Sequence, residues 1–398
     1  SKHTGPAAHQ DTTIHNIKGI NFIMSSSSSS SSKHTINAVF DFVKGGNLQP
    51  SSKPGFAHGM QLSYNTMNRA NLSWDADRKA LIYRYKFDAS RSNPADLKVA
   101  SLNPKLSLGT MTAIMDELST NACFAVGQPS APGLSLHMNM EWLVQEPIGH
   151  ILRGGQQSTS TAVATANADD NDDAAAELDV VNVVSKLGKT VSFTRTEYVH
   201  PDTKQVLALG THVKYMPTGS SFLDLVFSKA WAFQLYRRFF QLETVIPPTF
   251  DSKPLVKDTI GDHLQHTGLG KATFHITKDH TNPFGGLHGG CHAMLMELVA
   301  LPLASSELSK KQGNARAESN GSSTYTYLKS QKIDYLSAGR TGQTIFIEAD
   351  VIDVPTTPIS GGTIPMRVTL SRQDGRVLSD GTLVFASADG VSAGNSKL

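Results

Sequence analysis

Hydrophobic positions recur along this chain at two spacings, and the same succession appears twice. Met111, Ile114, Met115 and Leu118 follow the i, i+3, i+4, i+7 spacing of a helix with one buried face. Met294, Leu295 and Leu298 repeat it, with Pro302 near the end of that second helix. A strand-like segment precedes each helix, residues 81–87 in one half and 272–277 in the other. Alternating apolar and polar residues follow each helix, over 134–140 before the turn Pro147-Ile148-Gly149 and over 325–336 before Ser337-Ala338-Gly339. Each half closes with a hairpin. Pro201-Asp202-Thr203-Lys204 leads into Val206-Leu207-Ala208-Leu209-Gly210-Thr211, and Gln373-Asp374-Gly375-Arg376 leads into Val377-Leu378-Ser379-Asp380-Gly381-Thr382. The shared Val-Leu-x-x-Gly-Thr at matching places marks an internal duplication.

Each half therefore predicts a strand, a loop, one long helix and several antiparallel strands joined by hairpins, an α+β layer of one helix on a curved sheet. Pairing with the second copy would cover the sheet edge that a single copy leaves open. The expected domains are 36–218 and 251–390. Between them, 219–250 reads as a connecting helix and linker, whose Leu223, Phe227, Trp231, Leu235, Tyr236, Phe239 and Phe240 form a core-facing stripe. Residues 158–179, rich in Ala and Thr and then acidic, read as a solvated loop interrupting a hairpin of the first half. Residues 1–35, with the serine run 25–32, read as a flexible tether, and 391–398 as a polar tail.

Composition narrows the classes. With 398 residues, 18% charged and 39% hydrophobic, and 36 basic against 34 acidic side chains, the chain is neither a polyanion binder nor disordered throughout. Two cysteines, Cys123 and Cys291, exclude a disulfide framework and a thiolate cluster, and both are expected to be buried small hydrophobes. No apolar run approaches the eighteen residues of a membrane span. A soluble intracellular protein is expected. The start lacks a secretory apolar region and has no Arg before Arg69. The end, Ser396-Lys397-Leu398, matches the peroxisomal import address read by a receptor, with mitochondrial or cytoplasmic residence as the alternatives.

The candidate chemistry lies where the helices begin. In Asn282-Pro283-Phe284-Gly285-Gly286-Leu287-His288-Gly289-Gly290, glycines allow a ligand to approach the backbone, and first-turn N–H groups favour negative charge. Such donors form an oxyanion hole for acyl transfer, to which Asn282 can add a hydrogen bond. Asp116 and Glu297 lie two turns into their helices and can activate water or attack directly. Ser135, on the strand after the first helix, can position that water. A glycine-rich turn with an ordinary helical acid is the plain alternative. His288 and His292 stand four apart, but Glu297 points elsewhere, so no metal site is expected. Lys189, Arg195 and Arg340 can meet phosphate groups of a ligand or simply face solvent, and remain unassigned.

The pattern Asn-Pro-x-Gly-x-x-His-Gly-Gly with an acid nine residues after the histidine resembles the hotdog-fold acyl-CoA thioesterases, in the phenylacetyl-CoA-type and small acyl-CoA thioesterase branch. Residues 112–120, 131–135 and 187–193 of the first half are similar to that branch, and the resemblance covers about 100 to 130 residues of each half. It implies a tandem double hotdog with sites between paired hotdogs. It makes Asp116 and Glu297 the catalytic acids, Gly289 the donor to the thioester oxygen, Asn282 and His288 the other loop members and Ser135 the water-orienting serine. Gly290 and Gly109 are implied to line the substrate. The first half has Ser107-Leu108-Gly109 in place of His-Gly-Gly, and the second offers Leu328 or a neighbour in place of the serine. One composite site is therefore expected, Asp116 and Ser135 facing Asn282, His288 and Gly289, with the site of Glu297 degraded or silent. The implied activity is acyl-CoA hydrolysis without metal or redox cofactor, coenzyme A being part of substrate and product. Further assembly into homo-oligomers is implied, and no nucleic-acid partner. The alternatives are a catalytically inactive structural subunit and a 2-enoyl-CoA hydratase using Asp279 and His280.

Overall fold

The computed structural model describes residues 48–49, 71–87, 107–127, 133–144, 176–216, 243–244, 260–282, 285–313, 324–352 and 362–389. The first half contains β1 (Leu48–Gln49), β2 (Leu72–Asp75), β3 (Ala80–Phe87), α1 (Leu108–Gly127), β4 (Leu134–Trp142), β5 (Ala176–Leu187), β6 (Val191–Val199) and β7 (Val206–Tyr215). After β8 (Glu243–Thr244), the second half contains β9 (Leu264–Gly268), β10 (Lys271–His275), α2 (Gly289–Gly313), β11 (Thr324–Tyr335), β12 (Thr344–Val351), β13 (Thr363–Arg372) and β14 (Val377–Asp389).

One antiparallel sheet of twelve strands runs β2-β3-β5-β6-β7-β4-β11-β14-β13-β12-β10-β9. Read outward from its centre, each half gives the same order: the strand after the helix, then the last, middle and first strands of a meander, then the two strands of the hairpin before the helix. That repeated order, with one long helix against each half-sheet, is the tandem hotdog arrangement expected above. The halves join through β4 and β11, where Met140 lies opposite Gln331 and Met138 opposite Ile333.

The helices are buried nearly all round, not on one face. Met111, Ala113, Ile114, Met115 and Leu118 of α1 and Ala293, Leu295, Met296, Val299 and Ala300 of α2 have no exposed surface. The curved sheet covers one side and the neighbouring helix the other, so the two halves share one continuous core. Close approach depends on small residues. A side chain at Gly290 would meet Ala113 Cβ at 2.7 Å, and one at Gly109 would meet the Ala293 carbonyl at 3.3 Å.

Four expectations are corrected. The connection from β4 to β5 does not interrupt a hairpin, because these strands are not neighbours; β4 pairs with β7 and β11. Among the described residues, β5-β6-β7 and β12-β13-β14 run as hairpin meanders. The acidic stretch also ends before residue 179, since Ala176 already opens β5. Asp179 is buried there against Arg84 and Lys204, so its charge serves an ion-pair cluster. Pro302 lies inside α2, which continues to Gly313, because packing on both sides of the helix outweighs the one hydrogen bond a proline removes. Of the connecting segment 219–250 only Glu243–Thr244 is described, and it is extended, paired with Leu48–Gln49. Its aromatic stripe, the serine run and the terminal tripeptide lie outside the described residues. Cys123 and Cys291 are buried and unbridged as expected. Among the described residues no helix is long and apolar enough to cross a membrane.

Candidate active site between the two helices

The two helices begin alike. Ser107 caps α1: its Oγ accepts the Thr110 N–H at 3.1 Å and its carbonyl accepts the Met111 N–H. His288 occupies the same place before α2, its carbonyl accepting the Cys291 N–H at 2.9 Å. The second residue of each helix then donates its N–H to the acid of the other. Gly290 donates to Asp116 Oδ2 at 2.9 Å, and Gly109 donates to Glu297 Oε2 at 2.7 Å. Helix N-termini favour negative charge, and here each receives a carboxylate from its neighbour. The N–H groups of Gly290 and Gly109 therefore hold the acids.

Around Asp116 the polar groups converge. Oδ1 accepts the Ser135 hydroxyl at 2.8 Å and the Lys214 ammonium at 3.2 Å. Oδ2 lies 3.0 Å from His288 Nδ1, and His288 Nε2 lies 3.2 Å from Glu117 Oε2. His212 Nε2 stands 3.0 Å from Ser135 Oγ. Gly289 completes the wall: a Cβ there would fall 2.7 Å from Asp116 Oδ2 and 3.0 Å from Ser135 Oγ. The Tyr335 hydroxyl donates to the Gly289 carbonyl at 2.8 Å and steadies this turn. Burial alone would raise the pKa of Asp116, but Lys214 and His288 outweigh it and hold the carboxyl well below its ordinary range. Burial would likewise lower that of His288, yet Asp116 and Glu117 raise it to about 10. The resting pair is carboxylate and imidazolium.

Of the five residues expected to face one another, Asp116, Ser135, His288 and Gly289 thus meet directly. Asn282 organises the loop: its Oδ1 accepts the Gly286 N–H at 3.1 Å and its carbonyl the Gly285 N–H at 2.9 Å. The loop is anchored in its own half by Leu287 N–H to the Gly339 carbonyl and His288 N–H to the His280 carbonyl.

Strand register identifies the counterparts around Glu297. Gly210 lies opposite Met140, and Gly381 opposite Ile333. Each ladder then carries a bulge at the same place, and beyond it Ser135 faces Lys214 while Leu328 faces Phe385. Before the bulge, Met138 faces His212 and Gln331 faces Leu383. Leu328, Leu383 and Phe385, all buried, thus replace Ser135, His212 and Lys214. Glu297 Oε1 is buried with no hydrogen-bond partner among the described residues. Burial raises its carboxyl to about 7, against the lowering effect of the Gly109 N–H and Ser107. One acid is charged and surrounded by donors; the other sits in a largely apolar wall.

His212 and Lys214 escaped the sequence reading. Their signal is visible: along 206–215 they share parity with Ala208 and Gly210, the helix-facing residues, so two polar side chains point inward from an alternating strand. The remaining candidates have structural partners. His292 Nδ1 is 2.8 Å from Ser379 Oγ, and burial lowers its pKa to about 4. His280 is buried, accepts the Thr277 N–H on Nδ1 and packs against His263 and Phe274. Among the described residues no group of three metal-ligating side chains occurs.

No family model and no curated protein matches the sequence. Among solved structures, the chain is similar to an acyl-CoA thioesterase II of Mycobacterium marinum, at 7% identity and a TM-score of 0.40, over 80% of this chain and 96% of that one. It is similar to an acyl-ACP thioesterase of Bacteroides thetaiotaomicron at 10% identity and a TM-score of 0.39, over 78% and 99%. A hypothetical thioesterase of Streptococcus pneumoniae solved with coenzyme A covers 32% of this chain and 91% of its own, at 18% identity and a TM-score of 0.25. These likenesses are distant; the repeated strand order and the paired helices are what define a tandem hotdog fold in this chain.

Proposed function

We propose that the protein is an acyl-CoA thioesterase, hydrolysing acyl-CoA to a free carboxylic acid and coenzyme A at one site around Asp116. The observation that carries this is the meeting of Asp116 and Ser135 from the first half with His288 and Gly289 from the second. A thioester carbonyl lying over the start of α2 meets the first-turn N–H of Gly289 and the positive end of the helix. Water held by the Asp116 carboxylate attacks the carbonyl carbon, and its proton passes to Asp116. The carbonyl electron pair moves to oxygen, facing Gly289. Collapse restores the double bond and breaks the C–S bond, and the departing thiolate takes the proton. Direct attack by Asp116 through a mixed anhydride uses the same residue, and entry of 18O from solvent into the enzyme in a single turnover distinguishes it.

Thiol release from a panel of short, medium, long and aromatic acyl-CoAs tests the proposal. Turnover above the uncatalysed rate on any member supports it, and none from folded protein contradicts it. Metal and redox cofactors have no step in this scheme. Peroxisomal residence through Ser396-Lys397-Leu398 belongs to the same proposal: a fluorescent fusion with these residues free at the terminus should be punctate, and one lacking them diffuse.

A further inference from the structure

We infer that His212 and Lys214, two apart on β7, are positioning residues that fix the direction of the Ser135 hydroxyl and the place of the Asp116 carboxylate; this rests on the hydrolase reading above. His212 has no exposed surface, and both its ring nitrogens are engaged, Nδ1 with Ser119 Oγ at 2.8 Å and Nε2 with Ser135 Oγ at 3.0 Å. A serine has one hydrogen to give, and Ser135 gives it to Asp116 Oδ1 at 2.8 Å. The Ser135 oxygen must then accept from His212, so Nε2 carries the hydrogen and Nδ1 accepts from Ser119, whose hydroxyl lies nearer to it, at 2.8 Å, than to the Asp116 carbonyl at 3.4 Å. The chain runs in one direction from Ser119 through His212 and Ser135 to Asp116.

Lys214, 3% exposed, brings its ammonium to the same oxygen at 3.2 Å. Register puts it directly opposite Ser135, and the bulge between Ser135 and His137 turns that serine toward the helix. The second half supplies an internal comparison: where serine is replaced by Leu328, the counterparts of both β7 residues are apolar as well. The charged and titratable groups around Asp116 and His212 come from every packed element: His212 and Lys214 on β7, His137 on β4, His288 and His292 at the start of α2, Tyr335 on β11 and Glu117 on α1 itself. Burial and Lys214 hold His212 well below its ordinary range, consistent with a neutral donor at Nε2.

Two arms test the inference. In the first, the 15N spectrum of histidine-labelled protein should show His212 as a neutral Nε2–H tautomer from pH 5.5 to 8.5, a property independent of turnover. In the second, His212→Leu should lower kcat by about 10²-fold, the cost of a misplaced reacting group, with KM little changed. His212→Gln should recover about tenfold, because a glutamine amide nitrogen can stand where Nε2 stands. Lys214→Met should move the acid limb of the kcat profile up by about one pH unit or more, since a carboxylate loses its nearest ammonium. Circular dichroism checks each fold, and where His212→Leu fails to fold, His212→Gln and the spectrum decide. Full activity of His212→Leu, a glutamine no better than leucine, an unmoved acid limb, or a charged or Nδ1–H imidazole overturns the inference. Absence of thiol release by the wild type overturns the hydrolase reading instead, and the spectrum still reports the hydrogen-bond chain.

Discussion

Replacing Glu297 with glutamine removes a titratable group from the apolar counterpart of the site while keeping an oxygen for the Gly109 N–H. The carboxyl of Glu297 is buried, its Oε1 has no hydrogen-bond partner among the described residues, and burial raises it from its ordinary 4.5 to about 7. The folded state therefore binds the proton more tightly than the unfolded chain. Stability from this group is complete below pH 4.5 and is lost as pH rises through 7. At 1.36 kcal/mol per pH unit the loss is about 3 kcal/mol by pH 8. Across that interval Asp116 stays charged, being held low, and His288 stays charged, being raised to about 10. Urea unfolding of both proteins at pH 5 and pH 8 isolates the Glu297 contribution as a difference of differences. The glutamine variant should gain on the wild type by about 2.5 kcal/mol between the two pH values, because part of the effect is already lost at pH 5, while thiol release stays within about twofold. A stability difference that is constant with pH, or that grows toward acid, refutes the assignment of a neutral buried carboxyl there.

Two further outcomes follow from the geometry around Asp116. Gly289→Ala places a methyl where 2.7 Å separates it from Asp116 Oδ2 and 3.0 Å from Ser135 Oγ, so thiol release should fall about 10²-fold, as expected for a displaced reacting group. Because His288 is raised to about 10, the wild-type kcat should show no basic limb from this residue between pH 6 and 9; a limb near pH 7 that disappears in His288→Ala contradicts the imidazolium assignment.

The parts of the fold written in local pattern were legible. The helix spacing around Met111 and Met294 and the repeated Val-Leu-x-x-Gly-Thr gave the duplication, and the structure superposes those repeats on equivalent strands, Gly210 and Gly381 occupying matching ladder positions. The convergence of Asp116, Ser135, His288 and Gly289 followed from resemblance and from the complementary departures of the halves. What pattern conceals is parity at a bulge. Strict alternation from Leu134 to Met140 puts Ser135 on the face opposite Met138 and Met140. The extra residue between Ser135 and His137 reverses this and turns the hydroxyl inward to Asp116. His212 and Lys214 are hard to see in the sequence because a polar residue on a strand is ordinarily solvated, and only the helix-facing parity shared with Gly210 reveals them. The end of the acidic segment was misplaced for the same reason: Asp179 is charged, but Arg84 and Lys204 pair with it on a strand.

The central claim is that one acid works and the other does not, because only Asp116 is met by Ser135, Lys214, His288 and the start of α2. Thiol release by Asp116→Asn and Glu297→Gln, measured side by side on the best substrate of the wild type, tests it most directly. The account predicts a fall of at least about 10³-fold for Asp116→Asn, the scale on which removal of an essential catalytic group acts, with near-wild-type turnover for Glu297→Gln. Near-full activity of Asp116→Asn, or loss confined to Glu297→Gln, would contradict it.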